Sequence, residues 1–175
     1  LSLVKMNQVR DVDPSTNVMT LEAGVTVLDA QKHAEEANRL FPLSLGSEGT
    51  CQIGGILSTN AGGTAVLAYG NSRDLCMGVE AVLADGRIYN GLSKLRKDNT
   101  GYDLKDLLVG AEGTLGIITA ASLKMFPRPR TFETALLNIA SPQVGVDIFE
   151  LVRERAGNRL TSFELLPTIG MDLQL

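Results

Sequence analysis

The chain has 175 residues, 44% of them hydrophobic, and a formal net charge of −4 from 16 Lys and Arg against 20 Asp and Glu. That length and composition suit a soluble, globular fold with a sizeable core. The mildly acidic balance and the scatter of the cations argue against a nucleic-acid surface, no apolar run reaches the roughly 18 residues of a membrane span, and no basic stretch before an apolar run marks a signal peptide.

The sequence opens at Leu1 rather than Met, so it is expected to be an excised piece, and an upstream targeting segment stays open. Cys51 and Cys76 lack CxxC spacing, which points to neither a disulfide framework nor a zinc ribbon. A reducing compartment suits them: the cytoplasm, or the mitochondrion in a eukaryote.

In chain order, LSLVKM and VMTLEAG read as strands on either side of a polar DVDPSTN turn containing Pro14. A helix follows from Val27 to Leu40, opened by a Thr26/Asp29 capping box, with Val27, Ala30, Ala34 and Ala37 at helical spacing. The sole histidine, His33, lies on this helix among Lys32, Glu35 and Glu36 and reads as a surface residue. A Ser-His-Asp triad, a His-rich metal site and a flavin bonded through an imidazole would each need a histidine elsewhere.

The next segment, GSEGTCQIGGILSTNAGG, has glycine at 46, 49, 54, 55, 62 and 63. Glycine lets a ligand approach the backbone closely, and the neighbouring Ser44, Ser47, Thr50, Ser58, Thr59 and Asn60 offer hydrogen bonds with almost no charge except Glu48. Such a lining suits a large, uncharged planar ligand with polar edges; a tight packing loop is the alternative. The segment is neither a P-loop nor a GxGxxG fingerprint.

Asp85-Gly86 within GVEAVLADGRIYNG predicts a two-residue hairpin loop. A short helix is expected at DLKDLL, and GIITAASLKMF alternates as a long strand that PRPR stops. Pro127 and Pro129 make 127–130 the domain boundary. Beyond it, QVGVDIFELVRERA reads as an amphipathic helix through Val144, Ile148, Leu151 and Val152, and LTSFELL as a strand. A second glycine cluster, GAEGTLGIIT at 110–119, runs into the long strand, and the two clusters are expected to line opposite parts of one extended cofactor cleft.

The order PLSLGSEGTCQIGGILSTNAGG, YGNSRDLCMGVEAVLADGRI and LRKDNTGYDLKDLLVGAEGTLGIITAASL closely resembles the FAD-linked oxidases of the vanillyl-alcohol-oxidase (PCMH-type) superfamily. Within it the chain is most similar to the D-2-hydroxyacid dehydrogenase branch, which oxidises D-2-hydroxyglutarate, D-lactate or glycolate. The resemblance covers residues 1–130. It implies an α+β fold: the second lobe of a PCMH-type FAD-binding domain over 1–128, a mixed or antiparallel sheet flanked by helices, and the beginning of an α+β substrate domain over 129–175.

The resemblance also implies non-covalent FAD. Ser44, Leu45, Gly46, Ser47, Thr50, Gly54, Gly55, Thr59, Asn60, Gly62 and Gly63 match the family stretch around the diphosphate and isoalloxazine edge. Glu112, Gly113, Gly116, Ile117 and Ile118 match the stretch near the adenine and ribose, with packing an equal account of the two isoleucine side chains. Tyr69 and Gly70 match weaker contacts. In RKDNTGYDL, Arg96, Lys97 and Asn99 either stand near an anionic substrate or belong to a solvated turn, with Asp103 capping the short helix.

Family members carry an upstream PRGGGTG loop, and downstream the ligands of a divalent metal and the cations that hold the substrate carboxylate. None of these is in this sequence, so the chain is expected to supply part of an FAD cleft and no catalytic residue or metal ligand. The implied reaction takes a 2-hydroxy acid to its 2-oxo acid by hydride transfer to flavin N5, with a quinone or electron-transfer flavoprotein as electron acceptor. A homodimer is common among similar proteins. An oxidase of an alcohol or sugar lactone, and a non-catalytic packing module, remain as alternatives.

Overall fold

Asp13 pairs with Val18 across the Pro14 turn, and this contact fixes where the first strand must lie. The computed structural model describes residues 1–167. In it β1 is Val9–Asp13 and β2 is Val18–Glu22, so the expectation of a strand at LSLVKM is corrected. A hairpin strand has to abut its turn, and VRDVD does so despite its charges. Residues 1–6 instead turn back, the Met6 amide donating to Leu3 O, and cross above Gly24, where a β-carbon would collide with the Leu3 carbonyl.

The helix α1, Val27–Glu36, starts as expected on Thr26, whose Oγ1 accepts from the Asp29 amide. It ends earlier than expected, because Asn38 adopts a left-handed φ of 54° and Arg39–Leu40 forms the short strand β3. The sequence then enters α2 (Ile53–Ser58), α3 (Val66–Tyr69), α4 (Ser72–Leu75), β4 (Cys76–Val82) and β5 (Ile88–Asn90). The β4–β5 hairpin stands at Asp85-Gly86 but with a longer loop: the Leu83 amide bonds Arg87 O, and Gly86, at φ 85°, closes the turn onto Leu83 O. After α5 (Lys105–Leu108) come β6 (Ile117–Lys124) and β7 (Phe126–Pro127).

One antiparallel sheet, ordered β1-β2-β6-β4-β5, carries the fold; β3 and β7 form a separate pair. The front face presents Met19, Leu21, Ala121, Leu123, Val79 and Ala81 to Val27, Ala30 and Ala34 of α1 and Ile53, Ile56 and Leu57 of α2. The back face is also covered. Thr20, Ser122 and Gly78 lie in one row, and a β-carbon on Gly78 would collide with Gly91 O and stand 2.7 Å from the Ser93 amide. The backbone of 91–93 thus crosses the sheet on a strip of small residues, and Lys94 then pairs with Asp11 and Asp13 of β1.

Past β7, residues 131–140 have no regular structure, α6 (Pro142–Ala156) forms as expected, and a 3-10 turn follows at Gly157–Arg159. The strand expected at LTSFELL is corrected: it has no partner strand among the described residues. Its Phe163 instead packs on Phe149 of α6, with ring centroids 5.1 Å apart. No helix among the described residues is long and apolar enough to cross a membrane.

Arg10 reaches from β1 over two strands to Glu80 on β4, 3.1 Å away, and also pairs with Glu22. The Arg10 guanidinium, followed by the Thr119 hydroxyl, holds the Glu80 carboxyl below its ordinary 4.5. A lowered carboxyl stabilises the fold fully at neutral pH, and that contribution is lost as pH falls below 4.5 and through the folded value. Glu80→Gln should therefore cost roughly 1–3 kcal/mol at pH 7 and far less at pH 3, which thermal melts at the two pH values would show.

Candidate functional site

The first glycine segment holds a helix the sequence did not announce. Ile53, Ile56 and Leu57 are buried at helical spacing, which is enough to fold IGGILS into α2 once its front face meets the sheet. Its two glycines serve different ends. Gly54 is buried, its amide donates to Ala23 O at 2.8 Å, and a β-carbon there would stand 2.8 Å from the Ala23 β-carbon. Gly55 is exposed, has no positive φ, and faces open space for at least 4 Å where a β-carbon would be.

A glycine in a helix is less stable than alanine by about 1 kcal/mol, so Gly55 calls for a reason outside the chain's own packing. Gly46 and Gly49 share the property: both are exposed, neither has a positive φ, and neither has a protein atom closer than 4.0 Å to its missing side chain. Among the described residues the Gly55 amide also donates to no protein acceptor, whereas the amides of Ile53 and Gly54 are taken by Val25 O and Ala23 O. At each of these three positions the backbone is left open to a group from outside the chain.

The rest of the first segment is knit to itself. Ser44 Oγ donates to Glu48 at 3.2 Å, Thr50 Oγ1 to Ser47 O, Ser58 Oγ to Gly54 O and Thr59 Oγ1 to Gly55 O. Glu48 is further held by Gln31 from α1. Leu45 packs on the core. Gly63 has a packing reason, since a β-carbon would collide with Ser44 O, while a β-carbon on Gly62 would stand 3.3 Å from Val66. Asn60, left-handed at φ 50°, spends its side-chain oxygen on the Arg73 amide.

The two glycine clusters meet at the end of α2. The Gly110 amide donates to Leu57 O and the Glu112 amide to Ser58 O, both at 2.9 Å. Gly110, Glu112 and Gly113 all have left-handed φ, 82°, 51° and 80°, and this run of turns carries the chain into β6. A β-carbon on Gly116 would stand 3.1 Å from Val82 O, and Ile117 and Ile118 pair with Val82 and Ala81 as sheet residues, Ile118 buried. Tyr69 stacks edge-on to Phe126, and the Asp74 carboxyl crowds Gly70.

RKDNTGYDL lies apart from this surface, along a cleft of about 640 Å³ between the β4–β5 edge and α5. Arg96 lines it with Lys105, Lys124 and Arg73, but so do Asp98, Asp103 and Asp106, so the cleft is not a concentrated anion site. The expected cap by Asp103 is corrected: α5 has no side-chain cap, and the Asp103 carboxylate pairs with Lys105. Cys76 is buried and its thiol is pushed up to about 12 by burial, so it stays protonated at neutral pH. His33 is half-buried on α1 beside Glu36. Among the described residues no group of three or more His, Cys, Asp or Glu side chains could hold a metal ion. The residue missed from sequence is Arg73, which no local pattern marks; Gly110 falls in the second glycine cluster but not among the expected cofactor contacts.

A family model described as an FAD binding domain matches residues 1–91. Over 173 residues, 99% of this chain, the sequence is 44% identical to a mitochondrial D-2-hydroxyglutarate dehydrogenase of Danio rerio. It is 36% identical over 170 residues, 97% of the chain, to the mitochondrial D-2-hydroxyglutarate dehydrogenase of Arabidopsis thaliana. The chain spans about a third of the length of these relatives, 32% and 30%. In structure it is similar to an alkyldihydroxyacetonephosphate synthase, with a TM-score of 0.63 and 27% identity over 73% of this chain and 22% of that one.

The unlike surroundings of the adjacent glycines give opposite expectations for one added methyl group. Gly54→Ala should destabilise the fold by about 1–3 kcal/mol through overpacking against Ala23, and Gly55→Ala should stabilise it by about 0.5–1 kcal/mol. Denaturant midpoints of the two variants would show the difference in sign.

Proposed function

Because the chain belongs to the FAD binding domain family, we propose that it forms one wall of the FAD cleft in a flavoprotein that oxidises a D-2-hydroxy acid to the 2-oxo acid. The observation that carries this reading is that Gly46, Gly49 and Gly55 are each exposed and bare of a side chain with no conformational or packing cause. Bound there, FAD would supply the two-electron acceptor, taking a hydride equivalent from substrate C2 at its N5. The chain's own residues bind and orient: Gly46, Gly49 and Gly55 offer backbone to a flat face, and Ser47 and Thr50 offer hydroxyls at its rim. Gly54, Gly63 and Gly116 set the loops at the right height, and Glu112 and Gly113 shape the second wall.

Glu48 favours the neutral ring edge over the diphosphate at this end, since two like charges at close range repel even when partly screened. Holding is non-covalent in this reading, as the family resemblance implies. The names of the relatives support D-2-hydroxyglutarate as substrate and a mitochondrial location. The chain's share of their length supports residues 1–128 as one lobe of a longer FAD-binding domain and 129–175 as the start of a substrate domain, where a divalent metal would sit. A quinone or electron-transfer flavoprotein would take the electrons, and a homodimer is the proposed assembly.

In a polypeptide of the relatives' length that carries this chain, the visible flavin absorption should bleach on anaerobic addition of D-2-hydroxyglutarate. Persistence of the band would remove that substrate, and absence of any flavin would remove the cleft. In the same protein Gly55→Ala should weaken FAD about tenfold or more while raising thermal stability of the apoprotein; equal affinity in a flavin titration would sink the ring-facing role of α2.

A further inference from the structure

Arg73 is half-buried yet pairs with no carboxylate among the described residues. Its guanidinium donates only to carbonyls where α5 ends: Nη1 to Asp106 O at 3.2 Å and Nη2 to Val109 O at 2.6 Å. Its backbone amide donates to Asn60 Oδ1 at 2.9 Å, at the exit of the first glycine segment. Gly110 completes the arrangement. It is left-handed, and a β-carbon on it would stand 2.8 Å from Arg73 Nη2, so the guanidinium occupies the room that this glycine leaves.

These contacts join the exit of one glycine cluster to the entry of the other. We infer that Arg73 is the positioning residue that fixes the two clusters in one frame, so that both can face the same ligand. A lysine cannot replace it, because one ammonium lacks the planar fork that reaches two carbonyls at once. Its charge is satisfied by the negative ends of peptide dipoles at a helix C-terminus, so no acid is needed nearby.

The inference rests on the FAD reading, and the experiment separates the two. In the complete protein, Arg73→Lys and Arg73→Ala would be compared with Arg10→Lys, a variant on the far face of the sheet. Three quantities would be read: backbone hydrogen exchange of the peptide spanning 105–116 in the apoprotein, the FAD dissociation constant, and the visible circular dichroism of bound flavin. For Arg73→Lys, faster exchange at Gly110 and Glu112, an FAD dissociation constant raised about tenfold and an altered flavin dichroism are expected, the scale of losing one charge-assisted hydrogen bond.

Arg10→Lys should lower the melting temperature without moving the last two. If Arg73→Lys leaves exchange over 105–116 as in the wild type, or changes stability alone as Arg10→Lys does, the positioning role is overturned. Should the wild-type protein bind no flavin, the FAD reading falls, and the exchange result still decides whether Arg73 holds the clusters together.

Discussion

The approach of α2 to the sheet at Gly54 is the constraint on which the rest of the site depends. Its amide bonds Ala23 O just where β2 ends, and the Ala23 amide in turn bonds Thr119 O of β6, so helix, β2 and β6 meet at one point. With a side chain at 54 the helix would stand off. The carbonyls of Leu57 and Ser58 would then no longer meet the amides of Gly110 and Glu112. A single missing β-carbon therefore sets the distance between two segments that lie more than fifty residues apart in sequence.

The sheet can be thin-walled at that point because it is stiff elsewhere. Its back face carries small residues, Gly78, Ala120, Ser122 and Thr20, and the strap at 91–93 seals it with backbone instead of bulky side chains. The far end of the strap is held by charge, Lys94 to Asp11 and Asp13, and Arg10 spans to Glu80 in the adjoining row. The edge strand β1 is thus tied across the sheet to β4 by side chains as well as by its ladder to β2. Charged residues on an edge strand also discourage pairing with another chain.

Much of this was legible in the sequence, and the failures have common causes. The capping box, the Asp85-Gly86 hairpin, the β6 strand and α6 each declare themselves within a few residues, through turn chemistry or periodicity. LSLVKM and LTSFELL have strand composition but no neighbouring edge to pair with, and apolar content alone does not supply one. The helix α2 was hidden because Gly54 and Gly55 lower helix propensity; burial of Ile53, Ile56 and Leu57 outweighs that penalty only after the sheet exists. The likeness of the two glycine clusters suggests opposite parts of one cleft, and does not reveal that they touch at the end of α2. The side chain that joins them, Arg73, bonds carbonyl oxygens, which every residue possesses and no sequence pattern reveals.

Glycine-rich segments invite one explanation for all their glycines, and this chain shows why each needs its own. Gly54, Gly63, Gly78 and Gly116 are closed positions whose substitution the fold itself would resist. Gly110 and Gly113 are required by left-handed φ. Among the described residues only Gly46, Gly49 and Gly55 are left with open space and ordinary backbone, and a fold selected for stability alone would fill such positions with residues that lose less chain entropy. In the proposed reading, what remains after packing and dihedral causes are subtracted is the part of the sequence that answers to a ligand. Gly55 adjoins Gly54, so the open position and the closed one that sets the seam are neighbours on the same helix.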